Sequence, residues 1–443
     1  MQHDESRLKR LGPICLSPGV EPWHVGVFMA VMTIASCLIG FVAVVQPYLL
    51  TEVLHVPASQ QGRLTGFLNT AQYGAVALCV IAAGGLADIV GRKPMLIMAM
   101  IGLIVMLIAL PFAGSIAALF ALRCLMGVSS TGHIAGTTTM IVDYPSNATR
   151  GKFISLMFIV QAVVQSALVG WLLPHMPAFL IAHGVDRTTA LRCSLWALAA
   201  IGVIGLIIAV LFLREPPRQP GAEARPLSLK AVVATAGQVL AHSRIDPVFG
   251  LILLTSFVIR SDFFVTQSFM SVWVMGASKL QGVAAPQALK TVGLCSLMWT
   301  SASAVSPLIL GFIADRVNRV AMLLGALVVA ALAFSSTLLV HDVSGPLILV
   351  IFFGIGVAEM AQTVSSSAAL GERAPPHLRG SAIGFFVLTG TISVVVISYL
   401  AGILFDRLGF VAPFLFLAIL NIVFVAAAVG FMTAAHKRTA VQG

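Results

Sequence analysis

Two stretches decide the fold: GGLADIVGRK at residues 84–93 and GFIADRVNR at residues 311–319. Asp88 in the first aligns with Asp315 in the second, an offset of 227 residues. A second pair repeats the pattern. Asp143 stands seven residues before Arg150-Gly151, and Glu372 stands seven before Arg379-Gly380, an offset of 229. Two independent pairs at nearly one offset, about half of a 443-residue chain, read as an internal duplication.

What is duplicated follows from the apolar segments around these loops. A membrane-crossing helix needs about 20 mostly apolar residues. Twelve such spans can be drawn. Spans 1 to 6 fall at 23–50, 60–84, 94–113, 115–142, 153–174 and 190–213. Spans 7 to 12 fall at 247–276, 288–314, 319–340, 345–370, 381–405 and 411–434. The runs are long and do not alternate with polar residues, which disfavours a β-barrel. The expected architecture is all-α and integral to the membrane, with six-helix bundles at 1–213 and 247–443. An even number of spans per half makes the two repeats parallel, related by an axis along the membrane normal. Between them, 214–246 begins REPPRQPGAEARP and reads as a linker, with a short amphipathic helix expected over 227–242 on the membrane surface.

Composition agrees. Hydrophobic residues make up 59% and charged residues 9%, too few charges to coat a water-facing surface. A soluble or disordered chain is excluded. The net charge of +10 is largely topological. Eighteen of the 26 Lys and Arg residues fall on the side that holds both termini, the 2–3, 4–5, 8–9 and 10–11 loops and the 214–246 linker, and six on the other. The positive-inside rule places both termini in the cytoplasm. Nucleic-acid binding has no independent support. The six cysteines form no CxxC or CxH cluster, so neither a metal site nor a disulfide framework is expected. The polar start MQHDESRLKR lacks a signal-peptide layout, so span 1 is expected to be an uncleaved anchor.

The repeated loops carry a resemblance. Gly84, Leu86, Asp88, Gly91, Arg92 and Lys93 match the G-x-L-x-D-[RK]-x-G-[RK]-[RK] signature between helices 2 and 3 of the major facilitator superfamily of secondary transporters. Ile89 departs from it. The second copy keeps Gly311, Asp315, Arg316 and Arg319, with Asn318 where the first has Gly91. Arg123 and Gly127 resemble the family's helix 4 R-x-x-x-G pattern. The resemblance implies a conformational latch made of the loop residues with Asp143, Arg150, Glu372 and Arg379. It also implies a central cavity lined by spans 1, 4, 7 and 10. Chemically, Asp88 can pair with a loop arginine or face a helix N-terminus.

Charges at bilayer depth cost roughly 3 kcal/mol or more and are functional suspects. Four stand out: Arg123 on span 4, Arg260 and Asp262 on span 7, and Glu359 on span 10. All sit on the implied cavity helices. Arg260 and Asp262 are two residues apart and point to roughly opposite faces. Arg260 is therefore expected to meet Glu359 or an anionic substrate, and Asp262 the cavity or a neighbouring helix. Glu359, Asp262, Arg123 and His133 are the proton-coupling candidates, because a buried carboxyl can load and release a proton as its surroundings change. Arg260, Arg123, Gln46, Gln72, Gln165, Gln267, Gln362 and Phe263 are the candidate substrate contacts. Asn69, Gln161, Phe264 and Phe269 are further lining candidates, and Trp171, Trp196 and Trp273 read as interfacial anchors. Trp299 is deeper and ambiguous.

The expected function is alternating-access transport of a small organic anion, zwitterion or amphipathic compound across the cell membrane, driven by the proton gradient. No cofactor is expected, and the protein is expected to act as a monomer. There is no GxxxxGK[ST] loop for ATP and no catalytic triad. An uncoupled facilitator and a non-transporting sensor of the same fold are the alternatives.

Overall fold

Each of the twelve apolar runs becomes a helix. In the computed structural model, which describes residues 9–146, 149–215, 229–314, 316–375 and 378–442, the first six are Pro22–Glu52, Ala58–Val90, Arg92–Phe112, Ile116–Asp143, Arg150–Ala182 and Arg187–Phe212. The second six are Pro247–Leu280, Ala285–Ala314, Arg319–Leu339, Leu347–Arg373, Arg379–Leu408 and Ala412–Gln442. Side-chain caps fix several starts. The Asp246 carboxylate accepts from the amides of Val248 and Phe249 (3.1 and 3.2 Å), with Pro247 in the first helical position.

Among the described residues, eleven helices are long and apolar enough to cross a membrane. Span 2 is not one of them, although it is a continuous 33-residue helix. Its polar Gln61, Thr65, Asn69 and Gln72 are buried, turned toward protein rather than lipid. Span 5 runs eight residues past its expected end at 174. It passes through a π-helical stretch, Ser166–Leu172. That widened turn sits just ahead of Pro174, whose ring would clash with the carbonyl four residues back in a regular helix.

The duplication extends to the packing. On span 4, Gly127 lies against the Gln72 carbonyl and the Ala75 methyl of span 2. On span 10, Gly356 lies against the Trp299 carbonyl and the Ala302 methyl of span 8. The span 2 and span 8 partners differ by 227, and the two glycines by 229. A β-carbon on either glycine would strike the facing backbone, so only glycine allows the crossing. The loop ion pairs repeat at the same offsets: Arg92 with Asp143, and Arg319 with Glu372 (3.3 Å).

The described hydrogen bonds between the halves gather toward one end. Among the described residues, every hydrogen bond between them lies between mid-span and the end away from the basic loops. The Asp406 carboxylate of span 11 accepts from the Gly62 and Arg63 amides (both 2.9 Å) and from Arg63 Nε (3.3 Å). Thr70 donates to the Val395 carbonyl, Asn69 to Ser268, and Ser271 to the Ala43 carbonyl. Ser166 and Thr300 share a 2.6 Å bond where spans 5 and 8 cross. Tyr73 packs against Phe264, with tilted rings 4.5 Å apart. Among the described residues, hydrogen bonds thus close the end away from the basic loops, and none joins the halves at the basic end.

The expected linker helix exists as Leu229–Ile245, but it does not merely rest on a lipid surface. Val239 is fully buried in a cluster with Phe249, Ile252 and Leu323, which docks the helix beneath the second half. On the first half, Arg10–Leu11 and Ile14–Cys15 pair as a small hairpin, and Leu16 bridges Pro145 in the loop after span 4. Residues 216–228 and the Asn147-Ala148 pair lie outside the described residues.

Asp406 is the one charged group bridging the two halves at the closed end among the described residues. Removing an acceptor from a buried donor cluster costs about 1–3 kcal/mol. Asp406→Ala is therefore expected to raise the labelling rate of a cysteine placed at Thr70, by an impermeant maleimide applied from that end, by at least several-fold. Unchanged labelling would show that the closure does not depend on this carboxylate.

Candidate functional site

The four mid-span charges are all buried or half-buried, yet they do not pair with one another. Glu359 on span 10 is 1% exposed. Its carboxylate accepts from Thr266 Oγ1 on span 7 and from Trp299 Nε1 on span 8, both at 2.7 Å. Asp262 is fully buried. Its Oδ2 accepts from Gln362 Nε2 on span 10 (3.0 Å) and from Asn421 Nδ2 on span 12 (2.8 Å). Its Oδ1 and the Gln362 Oε1 have no hydrogen-bond partner. The two carboxyls lie within electrostatic reach of each other, and neither forms an ion pair among the described residues.

The arginines occupy a different place. Arg123 on span 4 donates to Gln72 Oε1 on span 2 at 2.6 Å. Arg260 is half-buried, lies 5.6 Å over the Phe264 ring, and makes no hydrogen bond or ion pair among the described residues. The ionisable group in electrostatic reach of both is Tyr73, at the junction between the halves. The expected meeting of Arg260 with Glu359 does not occur. Glu359 turns toward span 8, where the Trp299 indole captures it. Asp262 takes the second of its expected courses and faces neighbouring helices.

The polar candidates divide in the same way. Gln72 is held by Arg123, and Gln362 by Asp262 and Asn421, so both are tied into networks rather than free. Gln46 donates to Thr65 at 3.0 Å, leaving its carbonyl oxygen without a partner. Gln165 donates to the Ser36 carbonyl at 3.4 Å. Gln267 is half-buried and makes no hydrogen bond among the described residues. His133 is buried with Nδ1 unpartnered, ten residues beyond Arg123 toward the basic end, or about 15 Å along the helix. Phe263 packs on Trp299 at 4.9 Å. Phe269 is not a lining residue, because it is fully buried against Phe405. Trp273 is not an interfacial anchor either, since it is buried between Phe352 and Phe414. Trp171 and Trp196 are exposed, but Trp171 lies in the π-helical stretch ahead of the end of span 5 at Ala182, and Trp196 lies nine residues into its helix.

The repeated loops show how the signature residues are used. Gly91 has φ +104°, and a β-carbon there would meet the Glu215 carboxylate. That carboxylate accepts from the Lys93 amide at 2.7 Å and so caps span 3 from outside. Lys93 Nζ donates to the Val210 carbonyl. In the second copy Asn318 caps its own helix, accepting from the Val320 and Ala321 amides at 3.0 and 3.1 Å. The Gly-to-Asn departure is thus an exchange of one capping device for another. Arg316 is exposed. Both loop ion pairs lie within their own half. Asp315 and the side chains of Gly84, Asp88 and Arg379 lie outside the described residues.

Sequence reading missed Thr266, Asn421, Tyr73 and Asp406. Thr266 follows Asp262 by one helical turn, so it shares the face toward span 10. Asn421, alone in the apolar run 411–434, was the legible signal of a buried partner.

The profile of the Major Facilitator Superfamily matches residues 26–302 and 286–442. Among curated proteins, the magnetosome protein MamZ of Paramagnetospirillum magneticum is 22% identical over 410 residues, covering 89% of this chain and 60% of that one. The chain thus spans about 60% of that relative's length. A gallate transporter of Pseudomonas putida is 29% identical over 128 residues, 28% of each chain. The crystal structure of a mutant of the nucleoside transporter NupG superposes with a TM-score of 0.67 at 14% identity, covering 92% of this chain and 99% of that one, which shows the fold.

Asn421 leads to a stability test. Asn421→Leu removes one of the two donors to a fully buried carboxylate, a loss of about 1–3 kcal/mol. The purified variant is expected to melt several degrees lower, and Asp262→Leu in the same chain to restore part of the loss. Equal melting of wild type and Asn421→Leu would show that the cluster is not structural.

Proposed function

This chain belongs to the Major Facilitator Superfamily, and from that premise we propose that it is a proton-coupled secondary transporter of a small organic anion. One observation carries the reading: the mid-span arginines are separated from the mid-span carboxyls. Had they paired, the cavity would be neutral and its acids locked. Instead Arg123 and Arg260 form no ion pair with a carboxyl among the described residues, which suits an anionic substrate. Glu359 and Asp262 are held by neutral donors, and in a buried site without a cation a carboxyl exchanges a proton rather than keeping a fixed charge. His133 and Arg123 are the further members of the proton path. Gln46, Gln165, Gln267 and Phe263 stand around the substrate, with Gln72 and Gln362 orienting the charges.

Transport proceeds by alternating access. The excess of basic residues at the end opposite the closure supports a cytoplasmic location for that end and both termini, in an inner or plasma membrane, and on this reading the described conformation faces inward. The Gly84–Lys93 and Gly311–Arg319 loops, braced by Asp143, Arg150, Glu372 and Arg379, close that end in the opposite conformation. Among relatives, the name of the gallate transporter points to a carboxylate-bearing compound, in keeping with an anionic cargo.

Proteoliposomes test the reading, using a labelled organic acid selected by thermal shift on the purified protein. Glu359→Gln and Asp262→Asn are each expected to cut accumulation driven by an outside-acid pH gradient at least tenfold, while counterflow exchange at equal pH persists. Full gradient-driven uptake in both variants would identify an uncoupled facilitator. Binding without counterflow in the wild type would identify a sensor. Asp88→Asn is expected to slow counterflow with little change in binding affinity, and equal loss of both would argue against the loop as a latch.

A further inference from the structure

Between the arginines and Glu359 runs an unbroken line of aromatic rings. Tyr73 of span 2 meets Phe264 at 4.5 Å, Phe264 meets Phe263 at 5.1 Å, and Phe263 meets Trp299 at 4.9 Å. Tyr73, Phe263 and Phe264 are half-buried at mid-span, so their faces are not fully covered by protein. At one end the line holds the Arg260 guanidinium, stacked over Phe264. At the other, Trp299 donates to Glu359. Gly390 of span 11 leaves room for the Arg260 stem, since a β-carbon there would collide with Arg260 Cγ. The arginine is thereby pressed against the ring wall.

Resting on the transporter reading above, we infer that the substrate is a planar aromatic monocarboxylate, with its carboxylate between Arg123 and Arg260 and its ring on the Tyr73–Phe264–Phe263 wall. Three features select this class. Arg260 of one half lies over Phe264, whose ring Tyr73 of the other half meets at 4.5 Å, and Arg123 is bound to Gln72, the residue before Tyr73, so both guanidiniums stand beside Tyr73. The Tyr73 hydroxyl makes no hydrogen bond among the described residues, and Arg260 makes no ion pair there. The rings are tilted to one another and present edges as well as faces, which favours an edge-on aromatic ring over an aliphatic body of equal size. A second carboxylate on the ligand would be desolvated along the wall toward Glu359, where no cation awaits it. Because the anion would be gripped from spans 4 and 7 at once, its binding also draws the halves together.

Isothermal titration of the purified full-length protein tests this with benzoate, cyclohexanecarboxylate, hexanoate, benzamide and terephthalate. Benzoate is expected to bind about threefold to tenfold more tightly than cyclohexanecarboxylate, with hexanoate weaker still. Benzamide and terephthalate are each expected to lose more than tenfold relative to benzoate. Phe264→Leu should erase the preference for benzoate over cyclohexanecarboxylate while both still bind. Arg260→Gln should weaken every anion by more than tenfold. Equal binding of cyclohexanecarboxylate and benzoate in the wild type would overturn the class. So would retention of the preference in Phe264→Leu, or binding of benzamide as tight as benzoate. If anions of every shape bind alike and exchange in counterflow, the aromatic specificity fails and the transporter reading stands. If no organic anion binds or exchanges, both fall.

Discussion

A charge at mid-bilayer must be compensated, and this protein compensates its acids and its bases separately. The acids receive neutral donors: threonine and indole hydrogens for Glu359, amide hydrogens for Asp262. The bases receive an amide oxygen in one case and an aromatic face in the other. Direct pairing would have been the simpler local solution, but it would cancel the charges that a transporter uses. The placement of spans 2, 4, 7, 8 and 10 follows from keeping the two sets apart. Gly127 and Gly356 bring spans 4 and 10 close enough to spans 2 and 8 for Gln72 and Trp299 to reach their charged partners.

That symmetry has a divergence at its centre. The backbone crossing is the same in both halves, yet the residue offered at the crossing differs. Gln72 presents an acceptor to a cation, and Trp299, its counterpart 227 residues on, presents a donor to an anion. One duplicated scaffold thus carries opposite charges on its two sides. On the proposed reading, a site between the halves holds an anion on one face and exchanges a proton through the other.

Much of this was legible in the sequence. The offsets of 227 and 229 residues in the loops recur in the glycine crossings and in the Arg92–Asp143 and Arg319–Glu372 pairs. Span positions were legible because each apolar run ends at a cap, a proline or a charge. Partner choice was not. Arg260 could be placed at the right depth and on the right helix, but helical periodicity cannot say whether Glu359 will turn toward it or toward Trp299. That depends on side chains of helices distant in sequence. The extension of span 5 was hidden for another reason: Pro174 and Pro177 read as a terminus, whereas a π-turn absorbs the first of them. The closed end was hidden because Asp406 reads as an ordinary loop acid until span 2 is seen to pack against it.

The central claim is that anion and proton occupy separate groups and move together. The most direct measurement is the number of protons entering per anion in liposomes loaded with a pH-sensitive dye, with the transporter reconstituted and the anion applied outside. The account predicts that at least one proton enters with each anion, and that Glu359→Gln abolishes the proton signal while the anion still exchanges. Net anion uptake with no accompanying change in internal pH would contradict it.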